Sequence, residues 1–160
     1  MFQRILLAVD AGDAGRVATS FTVALARKCG AAVHVVHVNE YLLGGRGITS
    51  ETPAEAADVV ADALRDMHAA GVRATGMTYR TTVFDVPAAI CDLADQVRAD
   101  VIVVGSRRRR ILPSFMRRGT REHIARRTAL PVITAPAPLR VRRHDRTLEE
   151  APSPGVAVRP

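Results

Sequence analysis

The stretch VIVVGSRRRRILPSFMRRGTREHIARRTALPVITA, residues 101–135, decides the fold. It opens on four β-branched residues, Val101–Val104. Such a run is apolar on both alternations, as a strand covered on both faces of a parallel sheet requires. Gly105-Ser106 follows as a turn, and an arginine-rich loop begins at Arg107. Thr120 is placed to cap a helix reaching about Arg127, and Pro131–Ala135 reads as a second buried strand.

Working outward, the same alternation recurs toward the N-terminus. Arg4–Asp10 (RILLAVD) and Ala32–Val38 (AVHVVHV) read as internal strands. Between them Asp13 is placed to cap a helix with Val17, Phe21, Ala24 and Leu25 at helical spacing, and Gly30 to close it. Asn39–Glu51 is a loop with glycines at 44, 45 and 47 but without GxGxxG or Walker spacing, which favours a surface loop over a phosphate loop. Thr52-Pro53-Ala54-Glu55 has the form of a capping box with proline at the first helical position. Val59, Val60, Ala63, Leu64 and Met67 form that helix's apolar stripe, and Gly71 ends it. Val72–Arg80 is expected to be an edge strand, and Asp85 the cap of a helix through Ile90, Leu93, Ala94 and Val97.

Alternating strands and helices imply one parallel α/β sheet with right-handed crossovers. In such sheets a ligand sits at the carboxyl ends of the strands, where strand order reverses. If the first and fourth strands are neighbours, Asp10 and Gly105 face one crevice.

The totals narrow the function classes. A chain of 160 residues suits one domain, with the compact part ending near residue 138 and a Pro- and Arg-rich tail over 139–160 expected to be disordered. No apolar run is long enough to span a membrane and no signal peptide is legible, so a cytoplasmic protein without a membrane partner is expected. Cys29 and Cys91 have no metal or redox spacing. Residues 1–100 carry 9 basic and 12 acidic side chains, whereas 101–160 carry 14 and 4. The basic third therefore invites an anionic ligand or partner. Nucleic acid is disfavoured, because aromatic interleaving is absent and no recognition motif matches.

Three segments, RILLAVD, VHVVHV and VIVVGS…GTREHIARRTALPVITA, resemble the universal stress protein family over about residues 3–136. The resemblance implies a Rossmann-like five-stranded sheet of order 3-2-1-4-5 with helices on both faces. It further implies ATP or another adenine nucleotide at the switch point between strands one and four. Asp10 and the backbone of Val38 would sit beside the nucleoside, Gly105 and Ser106 near the ribose, and Arg107, Gly119 and Thr120 toward the phosphates. A homodimer through the exposed edge strand Val132 to Ala135 is also implied. The chain departs from the ATP-binding pattern at Arg108, where members carry glycine, and Gly105 to Gly119 is one residue longer. That departure leaves a second reading open: an interaction protein that docks an unknown acidic partner through Arg107–Arg110.

Little in the sequence points to catalysis. His34 and His37 read as hydrogen-bonded core residues rather than metal ligands, His68 sits near a helix end, and His123 follows Glu122 on a helix surface. No nucleophile–base–acid order or paired carboxylates stand out, so no catalytic residue is assigned and at most slow ATP hydrolysis is expected.

Overall fold

The computed structural model describes residues 1–42, 48–49, 51–105 and 120–137. The elements are β1 (Arg4–Ala8), α1 (Asp13–Cys29), β2 (Ala32–Leu42), β3 (Ile48–Thr49), α2 (Pro53–Ala69), β4 (Ala74–Thr82), α3 (Val86–Gln96), β5 (Val101–Val104), α4 (Thr120–Arg127) and β6 (Val132–Thr134). Five strands pair in parallel in the order β4-β2-β1-β5-β6, which is the 3-2-1-4-5 order once the short β3 is set aside. β3 pairs antiparallel with the last residues of β2, Tyr41 opposite Thr49. The edge strand expected at Val72–Arg80 is β4, shifted to Ala74–Thr82.

The pleat divides the core in two. Ile5, Leu7 and Val9 point to one face, where Val33, Val35, Ala18, Val60 and Met67 join them. Leu6 points to the other, against Val36, Ile90, Ile102 and Ile124. Leu6, Leu7 and Ile102 are wholly buried, and each such side chain contributes up to about 1.5–3 kcal/mol of transfer free energy.

α1 lies closer to the sheet than its apolar period suggests. Its buried residues are Ala14, Gly15, Ala18, Thr19, Thr22 and Ala26. Val17, Phe21 and Leu25 flank this strip half-buried, and Ala24 is exposed. Small residues on the contact line let the helix backbone approach, and the bulkier ones then wedge at its sides. Asp13 is not the cap. Gly12 takes that position at φ 83°, a backbone conformation open to glycine, and the Asp13 carboxylate pairs instead with Arg16. Asp85 does precede α3, but its carboxylate accepts from Thr82 Oγ1 at 2.6 Å rather than from the helix amides. The capping box of α2 is present: Glu55 N–H donates to Thr52 Oγ1 and Thr52 N–H to the Glu55 carboxylate, at 3.2 and 2.7 Å. The Thr52 amide, and then its hydroxyl, donating to the carboxylate hold the Glu55 carboxyl below its ordinary pKa.

Candidate functional site

β1 and β5 run side by side with Ala8 opposite Val104, so the chain leaves both strands at one edge of the sheet. Asp10 and Gly105, each just past its strand, are half-buried there. The first turns of α1 roof this place. A Cβ on Gly15 would lie 1.7 Å from the Asp10 carbonyl oxygen. Only a glycine allows the helix to seat this closely. A Cβ on Gly105 would meet Ala14 O at 3.7 Å and Ala18 Cβ at 3.9 Å, which is ordinary contact. Glycine at 105 is therefore not required by α1.

β2 continues beyond the end of β1. The last backbone bond of their ladder runs from Val9 N–H to the Val36 carbonyl at 2.9 Å. Alternate residues of a strand direct their N–H and C=O to the same side. The amide and carbonyl of Val38 therefore face the space past Val9, beside Asp10. Tyr41 pairs with Thr82 of β4 on one side and Thr49 of β3 on the other, so β3 lies on the β1 side of β2. The crevice is thus bounded by the end of β1, the overhanging part of β2, and β3.

Two buried polar side chains stand on this overhang. His37 is 3% exposed; its Nδ1 lies 2.8 Å from the Val9 carbonyl oxygen and its Nε2 2.6 Å from Glu51 Oε2. A carbonyl can only accept, so Nδ1 carries a proton. Asn39, 6% exposed, donates from Nδ2 to the Glu51 carbonyl at 3.3 Å. The opposite amide orientation would set two oxygens face to face, so Oδ1 points away, and it finds no partner among the described residues. An unpaired buried acceptor costs about 1–3 kcal/mol. Beside them the Arg80 guanidinium stacks over the Tyr41 ring, 5.2 Å from its centroid.

The remaining candidates separate. Asp10, Val38 and Gly105 come together. Thr120 is half-buried and opens α4, which is pinned by the wholly buried Ile124 against the α3 side of the sheet. Thr120 is the first residue of α4 itself rather than a cap ahead of it. Ser106, Arg107, Arg108 and Gly119 lie outside the described residues, as do Arg109 and Arg110. His123, Arg126 and Arg127 are exposed on α4. His34 donates to or accepts from Thr75 Oγ1 at 2.8 Å, and burial lowers its pKa from the ordinary 6.5. His68 Nε2 meets the Ala74 carbonyl at 3.0 Å. Cys29 and Cys91 are free thiols, and burial pushes Cys91 up. Among the described residues no three His, Cys, Asp or Glu side chains are grouped to hold a metal. No described helix is long and apolar enough to cross a membrane. A surface hollow of about 470 Å³ lies at the amino ends of β2 and β4 beside His68 and Arg73, opposite the crevice.

Gly15, His37, Asn39 and Glu51 are the crevice residues that sequence reasoning missed. A histidine and an asparagine at alternate positions near the end of a buried strand were the available signal.

The model of the universal stress protein family matches residues 1–136. The chain belongs to the universal stress protein family. Universal stress proteins also supply its structural neighbours. One from Archaeoglobus fulgidus in complex with dAMP is 28% identical, with 84% of this chain and 98% of that one covered at a TM-score of 0.62. Another from Archaeoglobus fulgidus is 27% identical, covering 85% and 95% at 0.64. A family protein from Burkholderia pseudomallei, 22% identical over 84% and 96% at 0.65, shares the fold. Neighbours at 20% and 18% identity were solved with cAMP and, in the Arabidopsis thaliana protein, with AMP. No curated protein sequence matches the chain. As a universal stress protein it has the Rossmann-like sheet expected from residues 101–135.

Proposed function

We propose that this universal stress protein is a cytoplasmic, homodimeric stress-response module that binds ATP or another adenine nucleotide in the crevice at the ends of β1, β2 and β5. The observation carrying this reading is the overhang of β2. It presents the Val38 amide and carbonyl, a donor and an acceptor side by side, past the end of β1, where the chain continues into Asp10. A base edge with one donor and one acceptor, and a ribose with two hydroxyls, suit that set. Gly105 leaves the floor low. The Ser106, Arg107, Gly119 and Thr120 segment follows β5 from the same edge and is the part assigned to ribose and phosphates. The solved relatives holding dAMP, cAMP and AMP support the same ligand class.

Calorimetry with ATP, AMP and cyclic AMP tests the proposal. Binding is expected for at least one nucleotide, with Asp10→Ala and Gly119→Val each abolishing it. Absence of binding to millimolar concentration overturns the nucleotide assignment and leaves the family untouched.

A second reading is favoured by the exposed Arg126 and Arg127 of α4 and by the arginines at 107–110. Here the basic surface docks an acidic protein. Capture of such a partner is then lost in 0.5 M salt, where the Debye length contracts from about 10 Å at 0.1 M, and lost again on Arg107–Arg110→Ala.

A further inference from the structure

The β1–β2 ladder stops one bond short of where both strands would allow. Val9 donates its N–H to the Val36 carbonyl. In a continuing parallel ladder the Val9 carbonyl then accepts from Val38 N–H. That bond is absent. The Val9 carbonyl instead accepts from His37 Nδ1 at 2.8 Å. Both chains still run close enough to pair, because Val9 is buried and its own N–H is bonded to β2. The imidazole therefore takes the place of a backbone donor.

Its other nitrogen explains why the ring stays there. Nε2 contacts the Glu51 carboxylate at 2.6 Å, and Glu51 holds the Asn39 carboxamide through its carbonyl. Glu51 also immediately precedes Thr52, whose capping box fixes the start of α2. The ring is thus gripped from β1 at one nitrogen and from the head of α2 at the other. It cannot rotate away without leaving the buried Val9 carbonyl unpaired and giving up the Glu51 contact, which is costly.

We propose that His37 is the positioning residue of the nucleotide crevice: by occupying the Val9 carbonyl it ends the ladder and frees the Val38 amide for the base. The proposal deepens the nucleotide reading and rests on it for the identity of the ligand. The ladder-ending role stands on the ligand-free protein alone. His37 does not touch the nucleotide; it acts through Val38. Asn39 Oδ1, buried on the same overhang without a partner among the described residues, is a second acceptor held by the same Glu51.

Amide hydrogen exchange read residue by residue, with calorimetry against AMP, tests it. In the ligand-free protein Val38 N–H should exchange far faster than Val36 N–H, which lies inside the ladder; equal protection of the two overturns the proposal without any variant. In His37→Phe the ring no longer donates, the ladder extends, and Val38 gains protection in the absence of AMP while AMP affinity falls about tenfold or more. His37→Asn keeps an N–H in the Nδ1 position. It should leave Val38 unprotected and AMP affinity within about threefold of wild type. Weak AMP binding in His37→Phe with Val38 still unprotected marks a merely structural histidine and overturns the assignment. Wild type that ignores AMP yet shows the Val38 protection change retains the ladder-ending role and sinks only the nucleotide reading.

Discussion

At the scale of single residues, the crevice depends on what is small or polar where an apolar side chain would be expected. Gly15 is the sharpest case. Its missing Cβ would stand 1.7 Å from a backbone oxygen, and neither the helix nor the Asp10 turn can rotate a side chain to relieve it. Gly15→Ala is therefore expected to cost about 3 kcal/mol or more, read as a lowered midpoint in urea unfolding. Gly105→Ala, whose Cβ would meet its neighbours at 3.7 and 3.9 Å, should change stability little. A Gly15→Ala protein as stable as wild type contradicts the close seating of α1 on Asp10. None of this was legible in AGDAG, since a turn glycine and a packing glycine look alike in sequence. Asp10 was legible, because an acidic residue closing an apolar strand stands out by itself.

Among the elements, α4 is the least self-sufficient. It has 8 residues, and Ile124 alone among them is buried. A helix this short is marginal without tertiary contacts. Ile124 packs into the cluster formed by α3 and the Leu6 side of the sheet, and Cys91 Sγ lies 3.9 Å from its carbonyl oxygen. Ile124→Ala should cost about 2–5 kcal/mol by the cavity it leaves. It should also loosen the helix that Thr120 opens, so AMP affinity falls beyond the loss from Thr120→Ala alone. Thermal unfolding and calorimetry on both variants check this. Parallel affinities in the two would separate α4 packing from binding. The element pattern of α2 was fully readable, since its capping box and apolar stripe are local. The line of contact on α1 was not. Amphipathic period identifies the face within about one residue, and only the approach of the sheet selects the small residues over Val17, Phe21 and Leu25.

For the whole molecule, β4 and β6 are the outer strands of the parallel sheet among the described residues. β4 exposes Met77 and Tyr79 together with Arg80. β6 is short, with Val132 and Ile133 half-buried and Thr134 exposed, and among the described residues it pairs with β5 alone. An edge of that kind can pair with a copy of itself. Light scattering at micromolar concentration should give twice the chain mass. Thr134→Pro, which removes an amide and stiffens the edge, should give the monomer. A monomeric wild type contradicts assembly through Val132–Ala135.

Residues 101–135 showed two strands flanking a helix from sequence alone: a β-branched run, a glycine turn and Pro-Val are local signals, and local signals survive without coordinates, whereas the strand order came from the family resemblance. Strand alternation further pointed to a parallel sheet, because the connections between its five main strands are long enough for crossovers; the short antiparallel β3, within the stretch read as a loop, was not legible. The tertiary structure decided what happens where strands end. That Val38 overhangs β1, that His37 takes the Val9 carbonyl from it, and that Glu51 returns from 14 residues on to hold His37 all depend on register between segments far apart in the chain. A buried histidine in VHVVHV has the same letters whether it fills a core or ends a ladder. The carbonyl it meets belongs to another strand, and only the folded chain brings the two together.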